Sequence, residues 1–328
     1  MTDGIGWVGQ RLSRLLSHAT ASSPGVPHYE RALGWIRANE IETGGVKVGS
    51  DEAAAYPEVT GYLVPTLLRC GETQLALRLV RWLLTIQASD GSFPSVDGVP
   101  HIFDTGQVLR GLLAARELMP EALDACRRTG NYLYTHIVDH GAGGFAIDPI
   151  WMKRYSRSIP LSSHLYVIPP LQESAKVFGM SESQRVIEQS VQYYVRHENA
   201  LNLDTLTHFL AYELEALIEL DLVQLAFPML DKIANLQAAD GSVPGKSGVQ
   251  WVCTPGLAQL AVCWYKIGQR APADRALNWL EAHQRRSGGF LGSYGKKASY
   301  FEKSEISWAV KFYLDAKLLQ SKETAKSE

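Results

Sequence analysis

The sequence lacks the features that mark several large classes of protein. Its 328 residues carry a formal net charge of −2, so the sequence has no excess of basic residues with which to bind nucleic acid or an anionic membrane surface. No uninterrupted apolar run is long enough to span a bilayer, and the first residues lack the basic start and apolar stretch of a secretory signal. We therefore expect no transmembrane segment, no nucleic-acid partner and a cytoplasmic location.

The common metal and cofactor motifs are also missing. The four cysteines lie far apart without a C-x-x-C pair, which favours structural thiols in a reducing compartment. There is no H-E-x-x-H, no P-loop, no G-x-G-x-x-G and no G-x-S-x-G, and the histidines show no metal-ligand spacing. The sequence thus predicts neither a metal site nor a cofactor. Its 46% hydrophobic and 20% charged residues indicate an ordered globular protein.

What the sequence does contain is a repeated helix ending. LTIQASDGSFP at residues 84–94 and ANLQAADGSVP at residues 234–244 align without a gap, and weaker relatives follow Gln284, Glu40 and His140. In each case a glycine comes just after an apolar helical pattern, where a left-handed backbone is expected. This recurrence favours a helical repeat whose units share one exit turn.

The apolar periodicity predicts twelve helices of alternating character. One set is apolar on all sides and rich in small residues such as Gly61, Gly106 and Gly111, which is typical of inner helices, whereas the other set is apolar on one side only. The predicted helices lie near residues 27–38, 57–71, 73–88, 104–118, 121–138, 162–178, 182–196, 205–220, 222–238, 254–268, 271–286 and 304–320.

Six inner and six outer helices predict an all-α fold, an (α/α)6 toroid spanning residues 27–320. The first helix is of the outer kind and the last of the inner kind, so the two would pair and close the ring. Residues 1–26 are interpreted as an N-terminal helical extension and residues 321–328 as a polar tail. An open helical solenoid is the alternative. Pro65 and the pair Pro169–Pro170 predict kinks or late starts in two inner helices.

In such a toroid the inner helices all begin at one rim, so their first turns should surround a central cleft. Asp104, Glu58 and Glu305 fall in these first turns and could supply paired carboxylates for acid–base chemistry. His208 and Tyr212 lie four residues apart on one face of an apolar helix and could transfer a proton.

Structural roles remain open for the same residues. Asp104 would make a good N-cap, Glu58 and Glu305 suit the positive end of a helix dipole, and His208 with Tyr212 could be a satisfied buried pair.

Further first-turn residues could bind a sugar by stacking or hydrogen bonding. These candidates are Tyr62, His101, Gln107, His164, Tyr166, Trp251, Tyr300 and Trp308.

Four longer segments resemble a little-characterised family of bacterial toroids associated with cell-surface polysaccharide biosynthesis. They are YPEVTGYLVPTLL, HIFDTGQVLRGLL, CTPGLAQLAVCW and the pair GGFLGSYG and SWAVKFYLDA. This resemblance implies a glycan context, with Glu58, Asp104, Gln107 and Glu305 as motif positions.

The exit turns QASDGSF and QAADGSV are similar, over short stretches, to repeats of terpenoid cyclases and protein prenyltransferases. The acidic D-x-D-D motif of class II cyclases is absent.

Three functions are consistent with these observations. The first is a carbohydrate-active enzyme, either a hydrolase or a lyase or epimerase, acting on a sugar in the central cleft. Asp104 with Glu58 or Glu305 would then serve hydrolysis, and His208 with Tyr212 would serve elimination or epimerisation. The second is a non-catalytic module that binds a glycan or a partner enzyme in a biosynthetic complex. The third is an isoprenoid-processing toroid.

Overall fold

The computed structural model describes residues 26–140, 144–145, 160–197 and 200–327. Within these ranges the chain forms twelve α-helices, one 3-10 segment at Leu161–Val167 and an antiparallel pair of short strands, β1 (Val252–Cys253) and β2 (Ser293–Tyr294). All but one residue of the predicted N-terminal extension lies outside the described ranges. The helices are α1 (His28–Asn39), α2 (Pro57–Arg69), α3 (Thr73–Ile86), α4 (Ile102–Ala115), α5 (Glu121–His140), α6 (Ile168–Val177), α7 (Ser181–His197), α8 (Thr207–Glu219), α9 (Val223–Leu236), α10 (Thr254–Lys266), α11 (Arg270–His283) and α12 (Ser307–Ser327).

The helices form two concentric layers. The inner helices α2, α4, α8 and α10 are buried on nearly all sides, whereas the outer helices α1, α3, α9 and α11 bury one face. Inner helices contact one another around the ring, and α12 closes it by packing against both α2 and α1. The predicted (α/α)6 toroid is therefore confirmed, and the open-solenoid alternative is wrong. None of the helices in the described ranges has the length and hydrophobicity needed to cross a membrane.

Several helix ends differ from the predicted ones for local reasons. Helix α4 begins two residues early because the Thr105 amide donates to the carbonyl of His101 over 2.9 Å. Helix α12 begins late because Glu305 and Ile306 pair as β-bridges with Leu291 and Gly49. It then continues through residue 327, so most of the predicted polar tail is helical. Before α6, the two prolines delay the α-helix, and the preceding turns are 3-10.

After α1, α3, α9 and α11 the exit turn ties an outer helix to the next, whereas most of the turn predicted after His140 lies outside the described residues. After α3, the Gln87 side-chain amide donates to the carbonyl of Ala125 on α5 over 3.1 Å and to the carbonyl of Gly91 over 3.3 Å. Gly91 has a φ of +94°, and a Cβ there would overlap the backbone carbonyl of Arg128. The glycine is therefore required by both its left-handed backbone and its close approach to the next helix.

The same turn closes the ring. Gln284, after α11, donates to the carbonyl of His28 on α1 over 2.9 Å and accepts from the Arg31 guanidinium over 2.7 Å. A Cβ on Gly288 (φ +96°) would overlap the Arg31 carbonyl, just as one on Gly91 would overlap that of Arg128. The exit turn that repeats in the sequence thus joins consecutive units, and after α11 it joins the last unit to the first.

We expect Gln284→Ala to destabilise the protein because it removes these bonds between the two ends of the ring. Their loss should lower the free energy of unfolding by about 1–2 kcal/mol, since the partners are half-buried. Chemical denaturation measures this. Gln224→Ala, at an exposed position of α9, is the matched control and should change stability by less than about 0.5 kcal/mol. Equal effects of the two substitutions would contradict this account of ring closure.

Glycines also bring two inner helices unusually close. A Cβ on Gly61 of α2 would lie 2.5 Å from the Cα of Val108 on α4, and one on Gly111 would overlap the carbonyl of Gly61. With no side chains between them, the backbones of α2 and α4 pack directly. This contact sets the first turns of the two helices, which carry Glu58 and Asp104, side by side.

Candidate active site

The first turns of the inner helices and the loops before them surround a cavity of about 1040 Å³. This volume suits one or a few sugar rings, since small-molecule sites usually occupy about 300–1,000 Å³. The lining includes the predicted residues Glu58, Asp104, His208, Tyr212, Trp251, Tyr300 and Trp308. It also includes Val48, Glu52, Ala54, Tyr56, Val96, Phe103, Pro160, Ser163, Asp204, Thr205, Leu206, Phe209, Lys246, Ser299 and Phe301.

Two buried carboxylates line the cavity together. The side chains of Glu58 and Asp104 come from the first turns of α2 and α4, and the two residues are only 5% and 2% exposed. Two effects raise the pKa of Glu58 well above its usual range. Burial is the larger effect, and the nearby charge of Asp104 is the second. The indole N–H of Trp308 on α12 donates to Glu58 Oε1 over 3.1 Å and partly offsets that rise. Glu58 therefore keeps its proton more readily than an exposed glutamate.

The interpretation of Asp104 as an N-cap is wrong. Helix α4 begins at Ile102, so its N-cap is His101, which makes no side-chain capping bond. Asp104 lies inside the first turn, where a carboxylate still interacts favourably with the helix dipole.

His208 and Tyr212 form a bonded pair in the cavity wall. The two residues lie one turn apart on α8, and the Tyr212 hydroxyl is 3.0 Å from His208 Nε2. Burial lowers the pKa of His208 to about 3, so its imidazole is neutral at physiological pH. The ring contacts Tyr300 and Trp308, with centroids 6.0 and 6.2 Å away. The pair is thus a rigid, uncharged polar surface beside the carboxylates.

Beneath the cavity lies a layer of paired charges, buried at Glu215, Lys311 and Asp315 and half exposed at Arg69, which we call the basal ionic layer. Glu215 accepts from Lys266 Nζ over 2.8 Å, from the Tyr166 hydroxyl over 3.0 Å and from Gln259 over 2.8 Å. Burial opposes the ionisation of Glu215, but the charges of Lys266 and Lys311 hold its pKa below the usual range. The layer comprises Arg69, Arg110, Glu215, Glu219, Lys266, Lys311 and Asp315.

Six predicted site residues do not line the cavity, and the prediction that they do is wrong. Glu305 points outward, where it accepts from the indole N–H of Trp35 on α1 over 2.7 Å and from the Ser287 hydroxyl over 2.6 Å. His101 lies 3.5 Å from Asp97 of its own loop. His164 packs between the inner and outer layers, with ring centroids 5.7 Å from Phe145 and 6.4 Å from Tyr194 of α7.

The other three lie deeper than expected. Tyr62 is one turn below Glu58 and packs on Phe312, with ring centroids 6.4 Å apart. Gln107 is fully buried, with its carbonyl 3.4 Å from Arg110 Nε. Tyr166 donates to Glu215 and lies under the Arg110 guanidinium, so it belongs to the boundary with the basal ionic layer. Helical rotation turns these side chains away from the opening.

Some lining residues were not singled out from the sequence. Phe103 and Phe209 directly adjoin the predicted Asp104 and His208, and phenylalanine in an apolar helix is more often a core residue than part of a binding site. Phe301 has a φ of +46°, which is uncommon for an aromatic residue and is a strained conformation typical of functional loops. No sequence pattern signals such a backbone.

Comparison with known proteins supports the fold. The chain matches no protein-family model, and no curated protein is significantly similar to it in sequence. Solved structures are similar in shape. One is the unsaturated glucuronyl hydrolase of Bacillus sp. GL1, with a TM-score of 0.70 and 18% identity, covering 90% of this chain and 96% of the other. Another is an alpha-amylase from Clostridium perfringens, with a TM-score of 0.66 and 13% identity over 90% and 99% of the two chains. A third, a glycosidase variant in complex with glucose, has a TM-score of 0.66 and 13% identity over 89% and 97%. The chain thus has the toroid fold of these glycosidases.

We expect Trp308→Phe to raise the pKa of Glu58 further. Phenylalanine keeps the aromatic wall but cannot donate to the ionised carboxylate, so ionisation is shifted to higher pH. A carbon-detected NMR titration of the Glu58 carboxyl measures this without a substrate. Trp251→Phe is the control, because it removes an indole from the same cavity but leaves the hydrogen bond from Trp308 to Glu58 intact. An unchanged or lowered pKa in Trp308→Phe would contradict the role assigned to this hydrogen bond.

Proposed function

We propose that the protein is a glycoside hydrolase that cleaves a sugar bound in the central cavity. The observation that carries this proposal is the pair of buried carboxylates, Glu58 and Asp104, in one sugar-sized cavity with aromatic walls. Glycoside hydrolysis needs two carboxyl groups with different proton affinities, one to donate a proton and one to remain ionised. The raised pKa of Glu58 provides that difference.

We assign the two roles from the raised pKa of Glu58 and from the charge of Asp104 that contributes to it. Glu58, protonated, donates its proton to the glycosidic oxygen, and the bond between that oxygen and the anomeric carbon breaks. Asp104, ionised, stabilises the positive charge that develops on the sugar ring and directs the incoming oxygen of water to the anomeric carbon. The water supplies one proton, which restores Glu58 over the cycle.

The aromatic walls support a sugar as the ligand. Tyr300, Phe301 and Trp308 contact one another, with neighbouring ring centroids 5.0 and 5.7 Å apart, and Trp251 also lines the opening. Such surfaces stack against the apolar faces of sugar rings while carboxylates bind the hydroxyls. The two carboxylates in the cavity do not fit the apolar lumen of an isoprenoid-processing toroid, and the raised pKa of Glu58 favours a catalytic protein over a non-catalytic module.

Elimination or epimerisation by His208 and Tyr212 has less support. A base works best when its pKa is near the operating pH, and burial places that of His208 at about 3. Its Nε2 is also engaged by the Tyr212 hydroxyl. We assign this pair to binding and orienting the sugar.

The polysaccharide-biosynthesis setting, the cytoplasmic location and a partner in a biosynthetic complex stay predictions from the sequence. The hydrolase proposal itself is tested by incubating the protein with a library of oligosaccharides and following new reducing ends. Cleavage that disappears in the Glu58→Gln and Asp104→Asn variants is the expected result. Cleavage that survives in both variants would overturn the assignment.

A further inference from the structure

The hydrogen bond between His208 and Tyr212 in the cavity wall can be formed in two ways. The imidazole is uncharged at neutral pH, as described above, so it carries one proton, either on Nδ1 or on Nε2. A proton on Nε2 would be donated to the Tyr212 oxygen, 3.0 Å away, and would leave the hydroxyl proton of Tyr212 free for a ligand. A proton on Nδ1 instead makes Nε2 the acceptor, and the Tyr212 hydroxyl donates to it. The tautomer of His208 therefore decides what Tyr212 offers to the cavity.

Gln259 connects this pair to the basal ionic layer. It lies on α10, the inner helix that packs against α8, and its amide nitrogen donates to Glu215 Oε2 over 2.8 Å. Burial opposes the ionisation of Glu215, but the charges of Lys266 and Lys311 keep its pKa low, so the carboxylate is ionised at neutral pH. An ionised carboxylate only accepts hydrogen bonds. The Gln259 amide must therefore direct its NH2 group at Glu215 and its oxygen to the other side.

On that other side, two buried atoms have complementary needs. Gln259 Oε1 and His208 Nδ1 have no hydrogen-bond partner elsewhere in the part of the chain that the structure describes. Burial lowers the pKa of His208, and the Gln259 side chain partly offsets this, as an acceptor beside the ring does. A proton on Nδ1 gives both atoms a partner. A proton on Nε2 would place two acceptors opposite each other in a buried site, where unpaired polar atoms are costly.

We propose that Gln259 is a positioning residue, which holds neutral His208 in the tautomer protonated on Nδ1. The Tyr212 hydroxyl then donates to His208 Nε2 and offers only lone pairs to the cavity that it lines. Gln259 is itself fully buried and acts through His208. The tautomer follows from contacts within the protein and does not depend on the proposed function. Its consequence for the ligand does rest on that function: the sugar group that meets Tyr212 is a hydrogen-bond donor, such as a hydroxyl.

NMR of protein labelled with nitrogen-15 in its histidines shows the tautomer directly and needs no ligand, because protonated and unprotonated ring nitrogens give well-separated signals. The loss of signals in His208→Gln assigns those of His208. In the wild-type protein at neutral pH we expect Nδ1 to be protonated. Gln259→Leu removes the acceptor at similar size, so the ratio of the Nδ1 to the Nε2 form should fall at least about fivefold. Tyr212→Phe keeps Gln259, and Nδ1 should stay protonated.

Gln237→Leu is the matched control. It removes the same kind of side chain from the exit turn after α9, where the Gln237 amide donates to two backbone carbonyls, and it should leave the tautomer of His208 unchanged. An equal change in Gln237→Leu and Gln259→Leu would overturn the inference, because the tautomer would then follow general destabilisation.

Three other results would overturn it as well. The first is a wild-type His208 protonated on Nε2, which is decisive whether or not the variants fold. The second is an unchanged ratio of tautomers in Gln259→Leu. The third is loss of the Nδ1 form in Tyr212→Phe, which would show that Tyr212 and not Gln259 sets the tautomer. Each of these leaves the oligosaccharide test of the proposed function untouched, so the two proposals can fail separately.

Discussion

Asp104→Asn is expected to lower turnover by about two to four orders of magnitude on any oligosaccharide that the wild-type protein cleaves. Asparagine has nearly the same size but cannot carry the negative charge that the transition state requires. Because the charge of Asp104 also raises the pKa of Glu58, that pKa should fall in the variant. A smaller fraction of Glu58 would then be protonated at neutral pH, and Glu58 would be a poorer general acid. Steady-state kinetics and an NMR titration of Glu58 measure the two effects.

A measurement of stability separates this catalytic role from a structural one. Asp104 is not the N-cap of α4, so its replacement should cost well under about 1 kcal/mol of unfolding free energy. Removing one of two neighbouring buried carboxylates should even stabilise the fold, as is common when functional strain is released. Loss of activity in proportion to loss of stability would show that Asp104 is structural. Normal turnover in both Asp104→Asn and Glu58→Gln would move the assignment to His208 and Tyr212.

Glu215→Gln is expected to have the largest effect on stability. The substitution leaves Lys311, which is buried, and Lys266, which is 24% exposed, with one counter-charge fewer, and breaking a fully buried ion pair typically costs about 3–5 kcal/mol. We expect about 3 kcal/mol, because Lys266 still contacts Glu219 at 3.0 Å. Denaturant unfolding at neutral pH measures the loss. Since the wild-type pKa of Glu215 is lowered by folding, its contribution is present above the unfolded pKa and disappears as the pH falls towards the folded one.

Asp124→Asn provides the matched control for this prediction. Asp124 lies 3.2 Å from Arg128 on the surface of α5, so the substitution also removes one carboxylate from an ion pair. Exposed pairs contribute little, and we expect a change below about 0.5 kcal/mol. If Glu215→Gln were as mild as Asp124→Asn, the basal ionic layer would not stabilise the inner ring as described.

The fold was predictable from the sequence because its signals are local and repeated. The exit turns around Gln87 and Gln237 and the alternation of all-apolar with one-sided helices define six units without any knowledge of long-range contacts. Helix starts were harder to predict, since they depend on partners distant in sequence. The bridge between Gly49 and Ile306, for example, delays α12 and involves residues from opposite ends of the chain.

The site was predictable only in part. The rule that inner helices begin at one rim led to Glu58, Asp104, His208 and Trp308, which line the cavity, but it could not say which side of each first turn faces the opening. Glu305 illustrates the limit. It precedes α12 in a bridge that turns its carboxylate towards the outer helix α1, and nothing in the local sequence indicates that direction.

The most direct test of the central claim is to follow the fate of water during cleavage. The wild-type protein is incubated with an oligosaccharide library in water enriched in heavy oxygen, and the products are analysed by mass spectrometry. The account predicts new reducing ends that each contain one oxygen from the solvent, and no such products from Glu58→Gln. Products that contain no solvent oxygen and carry a new double bond would contradict it, because they would show elimination in place of hydrolysis.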